Sequence, residues 1–305
     1  MITAHTRPIV LLGDPLAHSF SPAMHNTAFA ELKLDLVYLA LPVPSAQLHA
    51  AMQGFRAWHL PGANVTIPHK EAVLPLLDAL CPNAQRAQAV NTLFWQDDVL
   101  VGDNTDVTGI MTELVALRRD WHGKTALLVG SGGAARAAAV ALGDLGFAQV
   151  GLIARNLAAG VGVTGVMQGL FPDIAWSCHT STTQMLLDLV SQADLVINAT
   201  PIGMVGQATG MAMDRRLVDL LGRETIVYDM VYNPSRTMLI EAAESRGLQA
   251  VNGIGMLVGQ GAAAFLRWTG REAPVVSMRR ALLAAMAGPD PDAPPEDLEP
   301  IPVRP

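Results

Sequence analysis

The sequence predicts an α/β fold made of two domains. Apolar segments with strand character alternate with helical segments, which is typical of a mostly parallel sheet covered by helices. The length of 305 residues fits two domains of roughly 150 residues each. Half of the residues are hydrophobic and only 15% are charged, which excludes disorder over most of the chain, because disordered chains combine low hydrophobicity with high charge.

The first part of the sequence contains strands, helices and one hairpin. Residues 9–13 are predicted to form a buried strand, and residues 21–33 a helix with Ser21 as N-cap and Pro22 at its first position. The other elements predicted here are a strand at 36–41, a helix near 45–54, a short strand and turn at 62–68, a helix at 70–79, and a hairpin of strands 91–95 and 99–104.

The second part opens with a helix around 107–119 and continues with a glycine-rich turn between a strand and a helix, within residues 125–146. Another strand follows at 150–154, and further buried strands are predicted in 194–204 and 225–232. A glycine turn between a strand and a helix, followed by a second strand within about thirty residues, is the context in which such turns bind dinucleotides.

The glycines of this turn are Gly130, Gly132 and Gly133. Without side chains they allow a tight turn and let a pyrophosphate approach the first amides of the helix that begins near Ala134. A dinucleotide site is therefore predicted, with an ordinary strand-to-helix turn as the alternative.

The end of the second strand indicates which dinucleotide binds. An acidic residue there holds the ribose 2′-hydroxyl of NAD, whereas an Arg suits the 2′-phosphate of NADP. Residues 150–160 contain no acidic residue, and Arg155 occupies the expected place, so NADP is favoured; a solvated loop arginine is the alternative. The turn carrying Thr200 and Gly203 is expected to flank the cofactor, since such sheets bind ligands at the carboxyl ends of their strands.

The last segment, residues 288–305, differs from the rest in composition. It holds seven of the twenty prolines and five acidic residues against one Arg. Such a segment forms neither a helix nor a ladder and has little to bury, so it is predicted to be a disordered tail. It contributes −4 of the net charge of −7.

Charge and cysteine content exclude other classes of protein. A net charge of −7 argues against nucleic acid as the main partner, which calls for a basic face. Cys81 and Cys178 fit neither a disulfide framework nor a four-ligand zinc site, so we expect a reducing cytoplasm and no metal. The apolar run that ends at Gly13 is too short to cross a membrane and lacks a cleavage-site pattern, so neither a membrane span nor export is expected.

Eight short segments resemble motifs of the shikimate dehydrogenase family, which includes quinate/shikimate dehydrogenases. In order, they are GDPLAHSFSPAMHN (13–26), GANVTIPHKE (62–71), AVNTL (89–93), GDNTD (102–106), GSGGAAR (130–136), INATPIGM (197–204), YDMVY (228–232) and GIGMLVGQGAAAF (253–265). Each motif is moderately specific, whereas eight in the correct order are highly specific.

The resemblance implies a division into two domains with the ligands in the cleft between them. Residues 1–107 and 253–287 would form the substrate domain, and residues 108–252 a Rossmann-type NADP-binding domain. The implied reaction is the reversible reduction of 3-dehydroshikimate to shikimate with NADPH, a step of aromatic amino acid and chorismate biosynthesis.

Lys70 and Asp106 fall on the catalytic pair of the family. The resemblance implies that Lys70 exchanges a proton with the substrate oxygen, because the developing alkoxide needs a donor within hydrogen-bond reach. Asp106 would stay ionised, bind a substrate hydroxyl and hold Lys70 in place. Without the resemblance, Lys70 is a surface lysine in a first helical turn and Asp106 is a helix cap.

The resemblance also assigns binding residues. A small polyhydroxy acid needs surrounding polar groups, because such a site rejects analogues that leave buried partners unpaired. His18 and His25 are expected to be structural, with His18 orienting its loop. The substrate positions are Ser19, Ser21, Thr66, Asn91, Tyr232 and Gln260. The cofactor positions are Gly130, Ser131, Gly132, Gly133, Ala134, Arg155, Thr200, Met230 and Gly253.

The chain departs from the family pattern at three places. Val107 follows GDNTD where Gly is usual, and Asn252 precedes Gly253 where Asp is usual. Arg155 lacks the second basic residue that commonly follows, which predicts a moderate preference for NADP with NAD as a weaker alternative.

Three functions stay open at this point. The first is an NADP-linked shikimate dehydrogenase, and the second is a relative acting on quinate with NAD or on an aminated analogue. The third is a non-catalytic binding protein, which the presence of both Lys70 and Asp106 disfavours. Ser19 and Ser21 favour shikimate over quinate, because quinate-preferring relatives often alter this pair. Small molecules are the expected partners, and the chain is expected to be a monomer or homodimer.

Overall fold

The computed structural model describes residues 2–118, 120–180 and 184–288. These residues form two six-stranded sheets, each covered by helices. The structure thus confirms the predicted α/β fold of two domains. Apart from Gly288, the predicted tail at 288–305 lies outside the described residues.

The helices of the described residues surround both sheets and vary in length from one to four turns. In chain order they are α1 (Ser21–Glu31), α2 (Leu48–Ala57), α3 (Pro82–Ala87), α4 (Thr105–Leu117), α5 (Gly133–Asp144), α6 (Leu157–Leu170), α7 (Gln184–Gln192), α8 (Arg215–Val218), α9 (Met238–Glu244), α10 (Ile254–Thr269) and α11 (Val275–Ala287), with 3₁₀ turns at Ser45–Gln47 and Leu74–Leu76. None of them combines the length and apolar character that a membrane span requires.

The first sheet is mixed. Its strands are β1 (Arg7–Gly13), β2 (Leu36–Pro42), β3 (Gly62–Val65), β4 (Ala79–Leu80), β5 (Thr92–Gln96) and β6 (Val99–Asp103). They lie in the order β2-β1-β3-β5-β6-β4, with β1 parallel to both neighbours and β5 antiparallel to both of its own. The predicted hairpin is confirmed: Asp97 turns between β5 and β6 with φ 55°, a conformation that Asp tolerates.

The second sheet is fully parallel. Its strands are β7 (Thr125–Val129), β8 (Gln149–Ile153), β9 (Ala175–His179), β10 (Leu195–Asn198), β11 (Ile226–Asp229) and β12 (Gln249–Val251). The order β12-β11-β10-β7-β8-β9 is that of the Rossmann fold, whose ligands bind where the chain reverses its winding, between β7 and β10. Helices cover both faces, so neighbouring residues are both buried: Leu127 packs into the core on one face and Leu128 into the core on the other.

Two helices connect the sheets. α4 leads from β6 into β7, and α10 follows β12 and packs against α4. α10 and α11 return to the first sheet, where Phe265 and Met278 join Ile9 and Phe29 in one buried cluster. The expected domain bounds stay a prediction, and position 107/108 falls inside α4.

Two local predictions are wrong. Residues 70–78 form turns and one 3₁₀ turn rather than a helix, and Ala79 begins β4, because Val90 N donates to Lys70 O at 2.8 Å and Pro75 has no N–H. Ser21 is the first residue of α1 rather than its N-cap. Ser19 Oγ accepts a hydrogen bond from Ser21 N at 3.4 Å, so the first amide of the helix is satisfied by the earlier serine.

Candidate active site

One cleft lies at the carboxyl ends of strands from both sheets and has a volume of about 240 Å³. Strand ends from the two sheets bring together side chains that are far apart in the sequence. The predicted catalytic and substrate residues that line it are Ser19, Ser21, Thr66, Lys70, Asn91, Asp106, Tyr232 and Gln260. The predicted cofactor residues that line it are Ala134, Thr200, Met230 and Gly253.

Lys70 and Asp106 form an ion pair in this cleft, with Lys70 Nζ 2.6 Å from Asp106 Oδ2. Lys70 lies in the turn after β3, and Asp106 lies in the first turn of α4. Their side chains are only 15% and 6% exposed, and attraction between charges is stronger where water is scarce. Asn104 caps α4 by accepting a hydrogen bond from Val107 N, so Asp106 is not the helix cap.

Asn91 holds Asp106 through the second carboxylate oxygen. Its Nδ2 donates to Asp106 Oδ1 at 2.9 Å and to Gln260 Oε1 at 3.4 Å. Its Oδ1 accepts hydrogen bonds from Thr105 N at 2.7 Å and from Thr92 Oγ1 at 3.0 Å. Asn91 is 2% exposed and precedes β5, so one buried amide joins β5, α4 and α10 around the ion pair.

The two serines lie at the start of α1, on the side of the cleft formed by the first sheet. Ser21 is 8% exposed and lies close to Tyr38, whose hydroxyl donates to Asn64 Oδ1 at 2.7 Å. Thr66 follows β3, and its backbone N donates to Leu12 O at 2.9 Å. Hydroxyl groups therefore line this wall and can donate to a bound carboxylate.

Tyr232 and Gln260 complete the polar lining. The Tyr232 ring meets Phe20 edge to face, with 6.3 Å between the centroids. Burial raises the pKa of the Tyr232 hydroxyl, so this group is a neutral hydrogen-bond donor. Gln260 Nε2 donates to Leu257 O at 2.9 Å, which fixes the amide that faces Asn91.

The glycine-rich turn after β7 fits a dinucleotide pyrophosphate. Gly130 has φ +121°, which favours glycine, and a Cβ there would lie 3.1 Å from Thr200 Cγ2. Gly132 is the N-cap residue of α5, with open space where a Cβ would lie, so its side of the helix N-terminus is accessible. A Cβ on Gly133 would lie 3.1 Å from Lys70 Cβ, so the turn packs directly against the stem of the lysine.

The remaining predicted cofactor residues, Gly130, Ser131, Gly132, Gly133 and Arg155, do not line the cleft itself. Gly130 N donates to Ile153 O at 2.9 Å, so the glycine turn lies beside the end of β8. Arg155 is exposed two residues beyond that end. This position suits the adenosine ribose of a dinucleotide whose pyrophosphate is held at the turn.

No metal site is evident in the described ranges, where no group of three or more His, Cys, Asp or Glu side chains could hold an ion. His18 lies exposed on the rim of the cleft, close to Gly206. His25, seven residues further along on α1, is fully buried.

Comparison with protein families gives two matches. The family model for the shikimate dehydrogenase substrate binding domain matches residues 11–93. The model for the shikimate 5′-dehydrogenase C-terminal domain matches residues 253–283.

Relatives match nearly the whole chain. The NADP(+) shikimate dehydrogenase of Moorella thermoacetica is 42% identical over 93% of this chain and 95% of that protein. The enzyme of the same name from Microcystis aeruginosa is 38% identical over 93% and 98%. The chain belongs to the shikimate dehydrogenase family.

Solved structures of this family agree with the fold. A shikimate 5-dehydrogenase from Listeria monocytogenes in complex with shikimate and NAD is 37% identical, with a TM-score of 0.83 over 92% of this chain and 98% of that one. A quinate dehydrogenase from Corynebacterium glutamicum in complex with NAD is 29% identical, with a TM-score of 0.81 over 91% and 99%.

Three polar residues within the family motifs, Asn64, Asn198 and Asp229, were not among the predicted site residues. Asn64 lines the cleft in the GANVTIPHKE segment, where its side chain accepts from Tyr38 Oη at 2.7 Å and donates to Asn91 O at 3.0 Å. Asn198 and Asp229 end the buried strands β10 and β11 and are both fully buried. The signal for these two was available, because a polar residue at the end of an apolar strand needs a buried partner.

Proposed function

We propose that this chain is an NADP-dependent shikimate dehydrogenase that catalyses the reversible reduction of 3-dehydroshikimate to shikimate, a step of aromatic amino acid and chorismate biosynthesis. The single observation that carries the proposal is the ion pair of Lys70 Nζ and Asp106 Oδ2 at 2.6 Å. It lies in a cleft between a polar wall and a dinucleotide-type glycine turn. The names of the curated relatives support the choice of substrate and cofactor.

Lys70 transfers the proton in this proposal. During reduction its ammonium group donates a proton to the carbonyl oxygen of the substrate, and during oxidation it accepts the proton back. Asp106 remains a carboxylate, orients Nζ and accepts a hydrogen bond from a substrate hydroxyl. Asn91 holds the Asp106 carboxylate in position by donating a hydrogen bond to Oδ1.

The other polar residues recognise the substrate. Ser19 and Ser21 bind its carboxylate, and Thr66, Asn91, Tyr232 and Gln260 surround its ring hydroxyls and carboxylate. A site of this kind discriminates between analogues, because a missing hydroxyl leaves a buried donor or acceptor unpaired.

The cofactor would be held along the carboxyl ends of the strands of the second sheet. NADPH, when bound, supplies the hydride. The amides of the glycine turn at 130–133 would hold its pyrophosphate, and Arg155 its 2′-phosphate. The nicotinamide end of the cofactor would lie beside the substrate. It would be contacted by Thr200, Met230, Gly253 and Ala134.

The second candidate function is oxidation of quinate with NAD. Two observations favour it: Arg155 has no second basic residue shortly after it, and the Corynebacterium quinate dehydrogenase bound to NAD has a closely similar fold. Retention of Ser19 and Ser21 favours shikimate.

The domain bounds, the partners, the cellular location and the oligomeric state are part of the same proposal. The substrate domain comprises residues 1–107 and 253–287, and the NADP-binding domain comprises residues 108–252. The partners are small molecules, the enzyme works in the cytoplasm, and it is a monomer or homodimer.

Steady-state kinetics of Lys70→Ala with shikimate and NADP⁺ test the proposal. We expect kcat to fall by about 10²–10⁴-fold, the usual contribution of a positioned acid–base group, with a much smaller change in KM. Lys33→Ala, which removes an exposed lysine at the end of α1, is the matched control and should retain full activity. Unchanged kcat in Lys70→Ala would eliminate the proposed proton transfer.

A further inference from the structure

We propose that Asp229 is a positioning residue for the inner half of the cofactor site, and this inference rests on the proposed function. Through Asn198 its carboxylate holds Thr200, and through the backbone of Val231 it holds the segment that carries Met230. Both segments line the cleft from the side of the second sheet.

Asp229 is the last residue of β11 and is completely buried. Its Oδ1 accepts hydrogen bonds from Asn198 Nδ2 at 2.8 Å and from Val231 N at 3.0 Å. Its Oδ2 accepts from Thr237 Oγ1 at 2.6 Å, at the start of α9. One carboxylate therefore ties together the ends of two neighbouring strands and a helix.

Asn198 extends this network to the cofactor side. It ends β10 and is completely buried, and its Oδ1 accepts from Thr200 N at 2.9 Å and Thr200 Oγ1 at 2.7 Å. Its backbone oxygen accepts from Met230 N at 3.0 Å. The side chain of Thr200 in turn lies against Gly130, where it closes one side of the glycine turn.

A carboxylate at position 229 suits the network better than a neutral amide. Burial raises the pKa of Asp229, and the hydrogen bonds from Thr237, Val231 and Asn198 oppose that rise. Asn198 Nδ2 and Val231 N can only donate, and the Thr237 hydroxyl donates as well, so an acceptor without hydrogens satisfies all three. An Asn at this position would remove the charge that strengthens these bonds and would set its amide hydrogens against the Thr237 hydroxyl, so that this hydrogen bond has to reverse its direction.

The position of the network predicts a local effect on ligand binding. Thr200 and Met230 line the inner cleft beside Lys70, whereas Arg155 lies on the outer side of the glycine turn. Loss of the Asp229 charge should therefore weaken contacts to the nicotinamide half of NADP⁺. The adenosine half should be unaffected.

Calorimetric titration of Asp229→Asn with NADP⁺ and with adenosine 2′,5′-bisphosphate tests the inference. The second ligand carries the ribose 2′-phosphate without a nicotinamide. We expect the Kd of NADP⁺ to rise by about tenfold, which corresponds to one net hydrogen bond, and the Kd of the fragment to stay constant. Asp219→Asn, which changes an exposed carboxylate paired with Arg215, is the control and should alter neither Kd.

Two other outcomes would overturn the inference. An equal loss of affinity for both ligands would show that Asp229 only supports the fold, and unchanged affinity for both would show that it has no role in binding. The reciprocal variant Asn198→Asp/Asp229→Asn restores an amide–carboxylate pair but loses the bond from Val231 N, and it should therefore recover part of the NADP⁺ affinity, even where the single variant does not fold. A reciprocal variant without NADP⁺ affinity would contradict the inference.

This experiment is separable from the proposed function. Wild-type protein that binds NADP⁺ but does not oxidise shikimate would refute the proposed reaction. The comparison between the two ligands would still decide the role of Asp229.

Discussion

His25 gives the protein a pH-dependent stability. It lies on α1, completely buried, with its ring stacked on Tyr38 at 4.5 Å between centroids and tilted against Trp268 at 5.2 Å. Neither ring nitrogen has a hydrogen-bond partner among the described residues. Burial lowers the pKa of His25 from 6.5 to about 3, so the ring is neutral in the folded protein across most of the acidic range.

The sign and size of the effect follow from proton linkage. The folded pKa lies below the unfolded value, so between pH 6.5 and about 3 the unfolded chain binds one more proton than the folded chain. The part of the free energy of unfolding that depends on a neutral His25 is therefore fully present well above pH 6.5. It is lost progressively as the pH falls below that value. At about 1.4 kcal/mol per pH unit, two units below pH 6.5 cost about 3 kcal/mol.

Urea unfolding of the wild type and His25→Leu between pH 7 and pH 4.5 measures this contribution. The leucine variant removes the titrating group, so the stability difference between the two proteins should shift by about 2.5 kcal/mol in favour of the variant as the pH falls from 7 to 4.5. His49→Leu replaces an exposed histidine on α2 and should run parallel to the wild type. Parallel profiles for His25→Leu would refute the reasoning.

Two further predictions concern arginines. Arg155→Ala should raise the KM for NADP⁺ by roughly 10- to 100-fold, the value of a hydrogen bond to a charged group, and leave the KM for NAD⁺ unchanged. Equal effects on both cofactors would show that Arg155 does not contact the 2′-phosphate, and Arg223→Ala, an exposed residue shortly before β11 at the amino end of that strand, is the control. Arg86→Ala should lower the free energy of unfolding by about 1 kcal/mol, because its bidentate pair with Asp144 joins α3 to α5 while both side chains are 29% exposed. A double-mutant cycle with Asp144→Ala that yields no coupling energy would contradict this.

Local chemistry made four strands of the second sheet predictable, namely β7, β8, β10 and β11, whereas the edge strands β9 and β12 were not predicted. The strands at β7 and β10 are continuous apolar runs, and glycines mark the turn between β7 and α5. These signals need only neighbouring residues. The segment 70–79 could not be predicted in this way, because its conformation depends on a bond from Val90, twenty positions away from Lys70.

The site shows the same limit. The family motifs identified Lys70 and Asp106 as candidate catalytic residues. The sequence does not indicate that Asn91 connects Asp106 to Gln260, which lies on a helix 169 residues after Asn91. Likewise, the end of β11 is visibly polar at Asp229, whereas its three donors become apparent only once the strands and α9 are placed.

The most direct measurement is the kcat/KM of the wild-type protein with shikimate and with quinate, each with NADP⁺ and with NAD⁺. The polar lining around Lys70, together with Arg155, predicts that shikimate with NADP⁺ has the highest value, about tenfold or more above quinate with either cofactor. A higher value for quinate with NAD⁺, or no oxidation of shikimate with either cofactor, would contradict the account.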